Sequence, residues 1–221
     1  MAYEDVLGNT DFFRDAPASV LTALGAAASE KNLTRGDVLF EEGAEPDAIY
    51  VVLAGRIAIA IGNKPLDNRE SVVALMDKGD LFGDLGLLDG GLRSASARAL
   101  ESSVVLRIPN SAVLPILQGS QELMWNVVRL LAQRLRAMDE ALSDSVFLDV
   151  TGRTAKRLLE LSAGKDDFTI PVTQEELAGM VGASRERVNK AIASFIRLGW
   201  LQQRDRHYTI TQRERLEQRA R

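Results

Sequence analysis

The most constraining feature of this chain is the segment 173–196, which predicts two helices joined by a tight turn. Thr173 followed three residues later by Glu176 is a capping box, a pair that begins a helix by satisfying free backbone N–H groups. Gly182 allows a sharp turn after this first helix, and Ser184 can cap the second. The segment therefore predicts a helix-turn-helix.

The second of these helices is predicted to have one apolar and one charged face. Val188, Ile192 and Phe195 recur at helical spacing and would face inward. Arginine can donate two hydrogen bonds to guanine and glutamate can accept one from cytosine, so the charged face suits base recognition in a major groove. An ordinary amphipathic hairpin with a solvated charged face is the alternative. The predicted DNA-contacting residues are Thr173, Ser184, Arg185, Glu186, Arg187, Asn189 and Lys190.

The charge distribution separates an acidic part of the chain from a basic one. The net charge of the whole chain is −4, yet residues 151–221 hold 14 Lys and Arg against 9 Asp and Glu. Residues 1–150 hold 13 against 22. A basic C-terminal part beside an acidic N-terminal part is typical of a DNA-binding module joined to a module that does not contact DNA.

Several classes of protein are not expected from the residues present. The chain has no cysteine, which excludes disulfides, thiol redox sensing and an iron–sulfur cluster held by the usual thiolates. The only histidine, His207, lies in the predicted DNA-binding part, so a haem-based gas sensor is not expected. No Ser–His or Cys–His couple, metal-ligand spacing or Walker loop occurs, so we expect no enzyme. A polar, acidic start and the lack of a long apolar run favour a cytoplasmic protein without a membrane span.

The N-terminal half predicts a short helical region followed by many strands. Residues up to about Lys31 are predicted to be helical, and Leu33 to Ile108 to form short β-strands separated by glycine and aspartate turns. Many short strands at regular turn spacing predict an antiparallel barrel or roll. The clearest strands are 38–40, 49–53, 57–59, 72–75 and 104–106.

A long helix is predicted over Gln121–Ser145. Its apolar positions step by three and four residues, which is the periodicity of a coiled coil: Met124, Val127, Leu131, Leu135, Met138 and Leu142. Such a stripe favours a parallel dimer, with packing on the β-roll as the alternative. The sequence then predicts a hinge at Asp149–Arg153, a helix at Thr154–Leu161 and a two-stranded wing within Trp200–Ile210.

The order of these elements and two motifs resemble the Crp/Fnr family of bacterial transcription regulators, most closely its cyclic-AMP receptor members. The motifs are Ser184–Lys190 and Phe82-Gly83-Asp84-Leu85-Gly86 followed by Arg93-Ser94-Ala95, and the similarity covers nearly the whole chain. The resemblance implies an α+β fold in three parts: an effector-binding, cyclic-nucleotide-binding-like β-roll at 1–118, a long dimerisation helix at 119–147 and a C-terminal winged helix-turn-helix at 148–221.

The resemblance also implies an effector site in the β-roll. A glycine-rich turn can bind an anion through its N–H groups, and a nearby arginine and hydroxyl add charge-assisted bonds to a phosphate. In the family, the positions of Arg93 and Ser94 hold a cyclic phosphate, while Gly83 and Asp84, followed by Leu85, lie at the ribose. A tight strand turn with a solvated arginine is the alternative.

Two departures from the family's pattern concern the effector. Asp84 stands where the cyclic-AMP binders carry glutamate, and Met138 and Asp139 stand where they present Thr-Ser or Thr-Asn to adenine. Methionine cannot replace a hydroxyl that hydrogen-bonds adenine, whereas Asp139 could accept two hydrogen bonds from guanine. Cyclic AMP is the first expected effector, and cyclic GMP or a cyclic dinucleotide is the second. No covalent cofactor and no metal are expected.

We interpret the chain as a homodimeric transcription regulator in which the effector shifts the population toward a DNA-binding geometry. The expected partners are double-stranded DNA with an inverted-repeat operator, a second copy of the chain and RNA polymerase. An effector-independent DNA binder with a vestigial pocket is one alternative. A nucleotide-binding regulatory subunit of a partner enzyme is another, although such a subunit has no use for Arg185 and Glu186 on a second helix.

Overall fold

The computed structural model describes residues 3–62 and 70–221, which form two compact units. The first unit extends to Arg136 and the second is Ala137–Arg221. The part of the predicted β-region at 63–69 lies outside the described residues. Among the residues that are described, no helix combines the length and the apolar character that a membrane span requires.

The first unit contains two antiparallel four-stranded sheets in its described residues, with the strand orders β1-β8-β3-β6 and β2-β7-β4-β5. Helices precede and follow these sheets in the chain. In chain order the elements are α1 (Glu4–Gly8), α2 (Ala18–Ala27), β1 (Ser29–Leu33), β2 (Val38–Phe40), β3 (Ala48–Ala54), β4 (Ile57–Gly62), β5 (Glu70–Met76), β6 (Leu81–Phe82), α3 (Leu85–Asp89), β7 (Ser96–Ala99), β8 (Ser103–Pro109), α4 (Asn110–Gly119) and α5 (Gln121–Phe147), the last of which continues into the second unit. The predicted β-roll and all five predicted strands are confirmed.

Strand β3 is buried on both of its faces. Ile49 and Val51 pack in a core that includes Phe12, Phe13 and side chains of the helices. Tyr50, on the opposite face of the strand, packs in the core between the two sheets. A strand covered on both faces needs apolar residues at successive positions instead of at alternate ones. This explains the continuous apolar run from which the strand was predicted.

The prediction of helix up to about Lys31 is wrong at its end. Helix α2 ends at Ala27, and Ser29–Leu33 forms the edge strand β1, which pairs antiparallel with β8. The first four residues of β1 are exposed and polar, so no apolar alternation marks them as a strand. Hydrogen bonding to the neighbouring strand β8, which the local sequence does not reveal, determines the conformation here.

Helix α5 carries the predicted apolar stripe and extends two residues beyond the predicted end. Val127 does not belong to the exposed part of the stripe, because it is buried in the core of the first unit. The other members are exposed: Met124, Leu131, Leu135, Met138 and Leu142 are 42, 37, 59, 68 and 65% exposed. One apolar face of α5 therefore packs in the core of the first unit, and a second apolar face is exposed.

The second unit confirms the helix-turn-helix and the wing. Thr173 and Glu176 form the predicted capping box, Gly182 has a φ of +67° at the turn, and Ser184 caps the next helix. The wing strands pair with a third, unpredicted strand to give the order β10-β11-β9. In chain order the elements are α6 (Val150–Ser162), β9 (Asp167–Thr169), α7 (Gln174–Val181), α8 (Arg185–Arg197), β10 (Leu201–Arg204), β11 (His207–Ile210) and α9 (Arg213–Arg219).

The segment predicted as a hinge, Asp149–Arg153, is mostly the first turn of α6, which begins four residues before the predicted Thr154. The Asp149 side chain caps this helix by accepting the Gly152 N–H at 2.8 Å, and it also pairs with Arg219 of α9. Arg153 donates from Nη1 to the Leu148 carbonyl at 2.7 Å. Three side chains thus hold the segment in a helical conformation that its sequence alone did not indicate.

The turn between β3 and β4 should tolerate no side chain at Gly55. This residue has a φ of +78°, and an added Cβ would lie 2.5 Å from the Ser102 carbonyl oxygen and also overlap Ser103. Gly36 has a similar φ of +92° but nothing within 4 Å. Gly36→Ala should cost about 1–2 kcal/mol of unfolding free energy for the left-handed conformation alone, and Gly55→Ala should cost clearly more. Urea unfolding of both variants measures the difference, and equal losses would contradict the predicted overlap.

Candidate functional site

The first candidate site lies where the turn after β6 meets the segment before β7. Gly83 has a φ of +78°, and a Cβ there would lie 2.9 Å from Nη1 of Arg93. The backbone N–H of Arg93 donates to the Ala44 carbonyl at 2.9 Å, and its carbonyl accepts from the Gly43 N–H at 2.8 Å. These contacts hold the Arg93 side chain against the Gly83 turn, where glycine leaves room for it.

The guanidinium of Arg93 is a buried cation. The residue is 4% exposed, and its Nη1 and Nη2 donate to the carbonyls of Gly83 and Ala48 at 2.6 and 2.7 Å. Its guanidinium carbon lies 4.2 Å from the centre of the Phe40 ring, which is a cation–π contact. Burial lowers the pKa of Arg93, but arginine stays protonated in proteins. Within the described structure its Nε has no hydrogen-bond partner, so the site holds a positive charge with an unused donor.

A carboxylate approaches this cation without pairing closely with it. Oδ1 of Asp47 is 3.5 Å from Nη2 of Arg93, at the limit of a hydrogen bond. Oδ2 of Asp47 is only 2.6 Å from Nη2 of Arg107. The hydrogen bond from Arg107 lowers the pKa of Asp47, so this carboxylate is ionised at neutral pH. Asp47 therefore pairs more closely with the more exposed Arg107 than with the buried Arg93.

The predicted ribose ligand Asp84 is buried and already paired. It is 2% exposed, and Nη1 of Arg134 donates to its two carboxylate oxygens at 3.0 and 2.9 Å. Arg134 is a residue of this site that sequence reasoning missed, because a charged residue on a long helix resembles part of a solvated face. A signal was present, since a buried carboxylate needs a cationic or hydrogen-bonding partner and α5 offers this arginine beside its apolar stripe.

The remaining predicted effector residues are exposed. Ser94 is exposed beside Arg93, and Leu85 is 42% exposed at the start of α3. Met138 and Asp139 belong to the second unit, where both are exposed on α5. The structure thus brings Gly83 and Arg93 into contact, and it pairs Asp84 with Arg134.

The first site has the chemistry of an anion site. A buried cation is costly unless charges or hydrogen bonds compensate it. Two neutral carbonyls, a ring face and a carboxylate 3.5 Å away compensate Arg93 only partly. An incoming phosphate could use the unpaired Nε. Among the described residues no cluster of three or more His, Cys, Asp or Glu side chains could hold a metal ion.

The second candidate site is the exposed face of α8. Val188, Ile192 and Phe195 are buried, as the spacing predicts. The five predicted DNA-contacting residues of this helix are exposed on its other side: Arg185, Glu186, Arg187, Asn189 and Lys190. Among the two predicted cap residues, Ser184 is exposed and Thr173 is half-buried. The N-terminal half of the helix therefore presents hydrogen-bond donors and acceptors on one exposed surface.

A cavity of about 220 Å³ lies between α7, the start of α8 and the wing strand β11. Arg185 and Arg206 both line it, and the Gln174 amide donates to the Tyr208 hydroxyl at 3.0 Å across it. The hydrogen bond joins the wing to the helix-turn-helix. His207 is exposed on the wing, with Nδ1 3.4 Å from Oγ1 of Thr169. Two arginines from separate elements thus flank one groove, an arrangement suited to a phosphate backbone.

Two family models match separate parts of the chain. The family model for the cyclic nucleotide-binding domain matches residues 30–120, and that for the Crp-like helix-turn-helix domain matches residues 152–219. The CRP-like cAMP-activated global transcriptional regulator of Mycobacterium tuberculosis is 34% identical over 225 residues, covering 99% of this chain and all of the relative. The cAMP-activated global transcriptional regulator CRP of Salmonella typhimurium is 30% identical over 161 residues, covering 70% of this chain and 76% of the relative.

A solved structure shares the fold at lower identity. FixK2 from Bradyrhizobium japonicum superposes with a TM-score of 0.77 at 19% identity, covering 86% of this chain and 96% of that one. The mycobacterial relative covers 99% of this chain, Gly83, Asp84 and Arg93 lie within the first matching domain, and the exposed face of α8 lies within the second. The chain belongs to the Crp/Fnr family of transcription regulators.

Proposed function

We propose that this transcription regulator is a homodimer controlled by a cyclic nucleotide, with cyclic AMP as the first candidate. The observation that carries the proposal is the buried guanidinium of Arg93, which has an unpaired Nε and no closely bound counterion among the described residues. A cyclic phosphate carries one negative charge and several acceptor oxygens, so it would neutralise the guanidinium and accept a hydrogen bond from Nε. Ser94 stands exposed beside the cation and would add a hydroxyl donor.

The identity of the base is a separate part of the proposal. Two relatives are named as cAMP-activated, which favours adenine. Asp139 offers a carboxylate on α5 that suits the N1–H and N2–H donors of guanine, so cyclic GMP or a guanine-containing cyclic dinucleotide is the second candidate. An effector-independent regulator is favoured by one observation, the pairing of Asp84 with Arg134, which already occupies the carboxylate proposed for the ribose.

The exposed stripe on α5 supports the proposed dimer. Leu135, Met138 and Leu142 are each more than half exposed, and apolar side chains at this spacing suit a second copy of the same helix. A two-fold dimer presents its recognition helices about 34–36 Å apart, so the operator would be an inverted repeat. RNA polymerase is the further partner expected of such a regulator, in the cytoplasm where the chromosome lies. No catalytic role is proposed.

Arg93→Ala should abolish the response to the effector. Removal of the buried cation removes the charge and the donors proposed for the phosphate, so the variant should bind neither cyclic AMP nor cyclic GMP in calorimetric titrations that succeed with the wild type. Arg35→Ala, which removes an exposed arginine from the turn before β2, is the matched control and should titrate as the wild type does. Equal titrations for Arg93→Ala and the wild type would remove the phosphate site from the proposal.

Arg185→Ala should weaken binding to the operator by about 1–3 kcal/mol and relax the preference at one base pair, because a bidentate contact to guanine would be lost. By the family's pattern the half-site should resemble TGTGA, with a weaker outer guanine contact because Lys190 replaces arginine. Fluorescence anisotropy with operators changed at each position measures the effect. Arg204→Ala in the wing is the comparison and should weaken all sequences equally. A uniform loss for Arg185→Ala would make this residue a phosphate contact only.

Leu135→Asp should prevent dimerisation. The substitution would bury a carboxylate in the proposed seam, at a cost of several kcal/mol unless it is paired. Analytical ultracentrifugation should show a monomer, and operator binding should disappear with it. Gln133→Asp introduces the same charge on another face of α5, two residues from the stripe, and should leave the dimer intact. A dimer of Leu135→Asp would mean that the interface lies elsewhere.

A further inference from the structure

Asp47 and Arg107 form a charged pair beside the buried Arg93. We propose that Arg107 is a positioning residue for the effector, because it holds the Asp47 carboxylate away from Arg93 and so keeps the buried guanidinium available to the phosphate. This inference rests on the proposed binding of a cyclic nucleotide at Arg93. It assigns a role to two residues outside the glycine turn and the Arg93-Ser94 motif.

Asp47 stands between two arginines and pairs tightly with one of them. Its carboxylate is 2.6 Å from Arg107 and 3.5 Å from Arg93. The Arg93 side chain is 2% exposed and that of Arg107 is 34% exposed. The Asp47 side chain itself is 61% exposed, so solvent access does not restrict it to either arginine. The observed preference for Arg107 therefore depends on a competing hydrogen bond.

Backbone contacts hold the main chain on either side of the Asp47 side chain. The Asp47 carbonyl accepts the Asn110 N–H at 3.0 Å, and the next residue, Ala48, begins β3 and pairs with Pro109 of β8. Arg107 lies two positions earlier on the same strand β8, opposite Tyr50. The main chain at Asp47 is held by these contacts, so an exchange between the two arginines would come from movement of the side chains.

The consequence for the effector is a competition at Arg93. Its other partners are neutral: two backbone carbonyls and the face of Phe40. Without Arg107, the Asp47 carboxylate would move closer to Nη2 of Arg93, and this intramolecular ion pair would neutralise the guanidinium charge. A tethered carboxylate competes with a free phosphate at a high effective concentration. Arg107 removes this competitor, although it does not have to contact the effector.

The test is a double-mutant cycle with cyclic AMP as the titrant, measured by calorimetry on the full chain. Arg107→Gln should lower the affinity at least tenfold, because Asp47 then closes on Arg93. Adding Asp47→Asn to Arg107→Gln should restore the affinity to within about threefold of the wild type, a difference of roughly 0.7 kcal/mol. Asp47→Asn alone should bind as tightly as the wild type or more tightly. Arg107→Lys, which keeps a cation for Asp47, should retain most of the affinity.

Matched controls separate this competition from a general change of charge. Glu45→Gln and Arg35→Gln alter exposed side chains by the same charge as the two test substitutions, and neither should change the affinity more than about twofold. Thermal unfolding without nucleotide shows whether each variant is folded. If Arg107→Gln does not fold, the expectations for Arg107→Lys and Asp47→Asn still decide the question.

The outcomes separate this inference from the function on which it rests. Wild-type affinity in Arg107→Gln, or an equally weak double variant, would overturn the role of Arg107 while leaving nucleotide binding at Arg93 intact. Weaker binding by Asp47→Asn alone would also overturn it. A wild type that binds neither cyclic AMP nor cyclic GMP would refute the proposed effector and this inference together.

Discussion

The burial of one positive charge organises the candidate effector site. Arg93 is held by a carbonyl from the turn after β6, a carbonyl from the start of β3 and an aromatic ring from the end of β2. A single side chain thus joins segments that are distant in sequence. Because its closest partners are neutral and the Asp47 carboxylate is 3.5 Å away, the charge is shielded but not fully cancelled, and we propose that the same side chain serves packing and anion binding. Its removal is therefore expected to affect both, which is why folding has to be measured beside affinity.

The second unit depends on polar contacts at the start of α6. Arg153 donates from Nε to the Val181 carbonyl at 2.9 Å and from Nη1 to the Leu148 carbonyl, so it joins the end of α5 to the last turn of α7. Arg219 binds the capping residue Asp149 from α9. The two Arg153 bonds satisfy carbonyls that helix ends leave free. Together with the Arg219–Asp149 pair they join the helix-turn-helix to the segment that was predicted as a hinge and that is mostly helical.

The elements that could be predicted from the sequence have local signals. The capping box at Thr173, the cap at Ser184 and the spacing of Val188 are contained within a few residues, and the structure confirms each. The edge strand β1 has no such signal, since its polar residues take their conformation from β8. Tertiary pairing overrides weak strand propensity at such positions.

The same distinction holds for the candidate sites. Arg93 was found through a short motif and a resemblance, but its environment was not, because Phe40 and Ala48 lie far from it in the chain. The partners Asp84 and Arg134 are 50 residues apart, and Asp47 and Arg107 are 60 residues apart. One sequence shows which charges exist but not which of them meet. The burial of Asp84 and the position of Asp47 between two arginines are visible only in the fold.

Helix α5 gives the proposed regulation a physical route. Its Arg134 binds Asp84 within the first unit, and its Glu140 and Asp144 bind Lys156 of α6 within the second, at 2.8 and 2.6 Å. One continuous helix is therefore anchored by ion pairs in both units. An effector that draws the Asp84 carboxylate toward a ribose would have to share it with Arg134 or release that arginine. An effector shifts the population of a state only when it favours that state, so in the proposed regulation the Asp84–Arg134 pair is the contact through which the effector would act on α5.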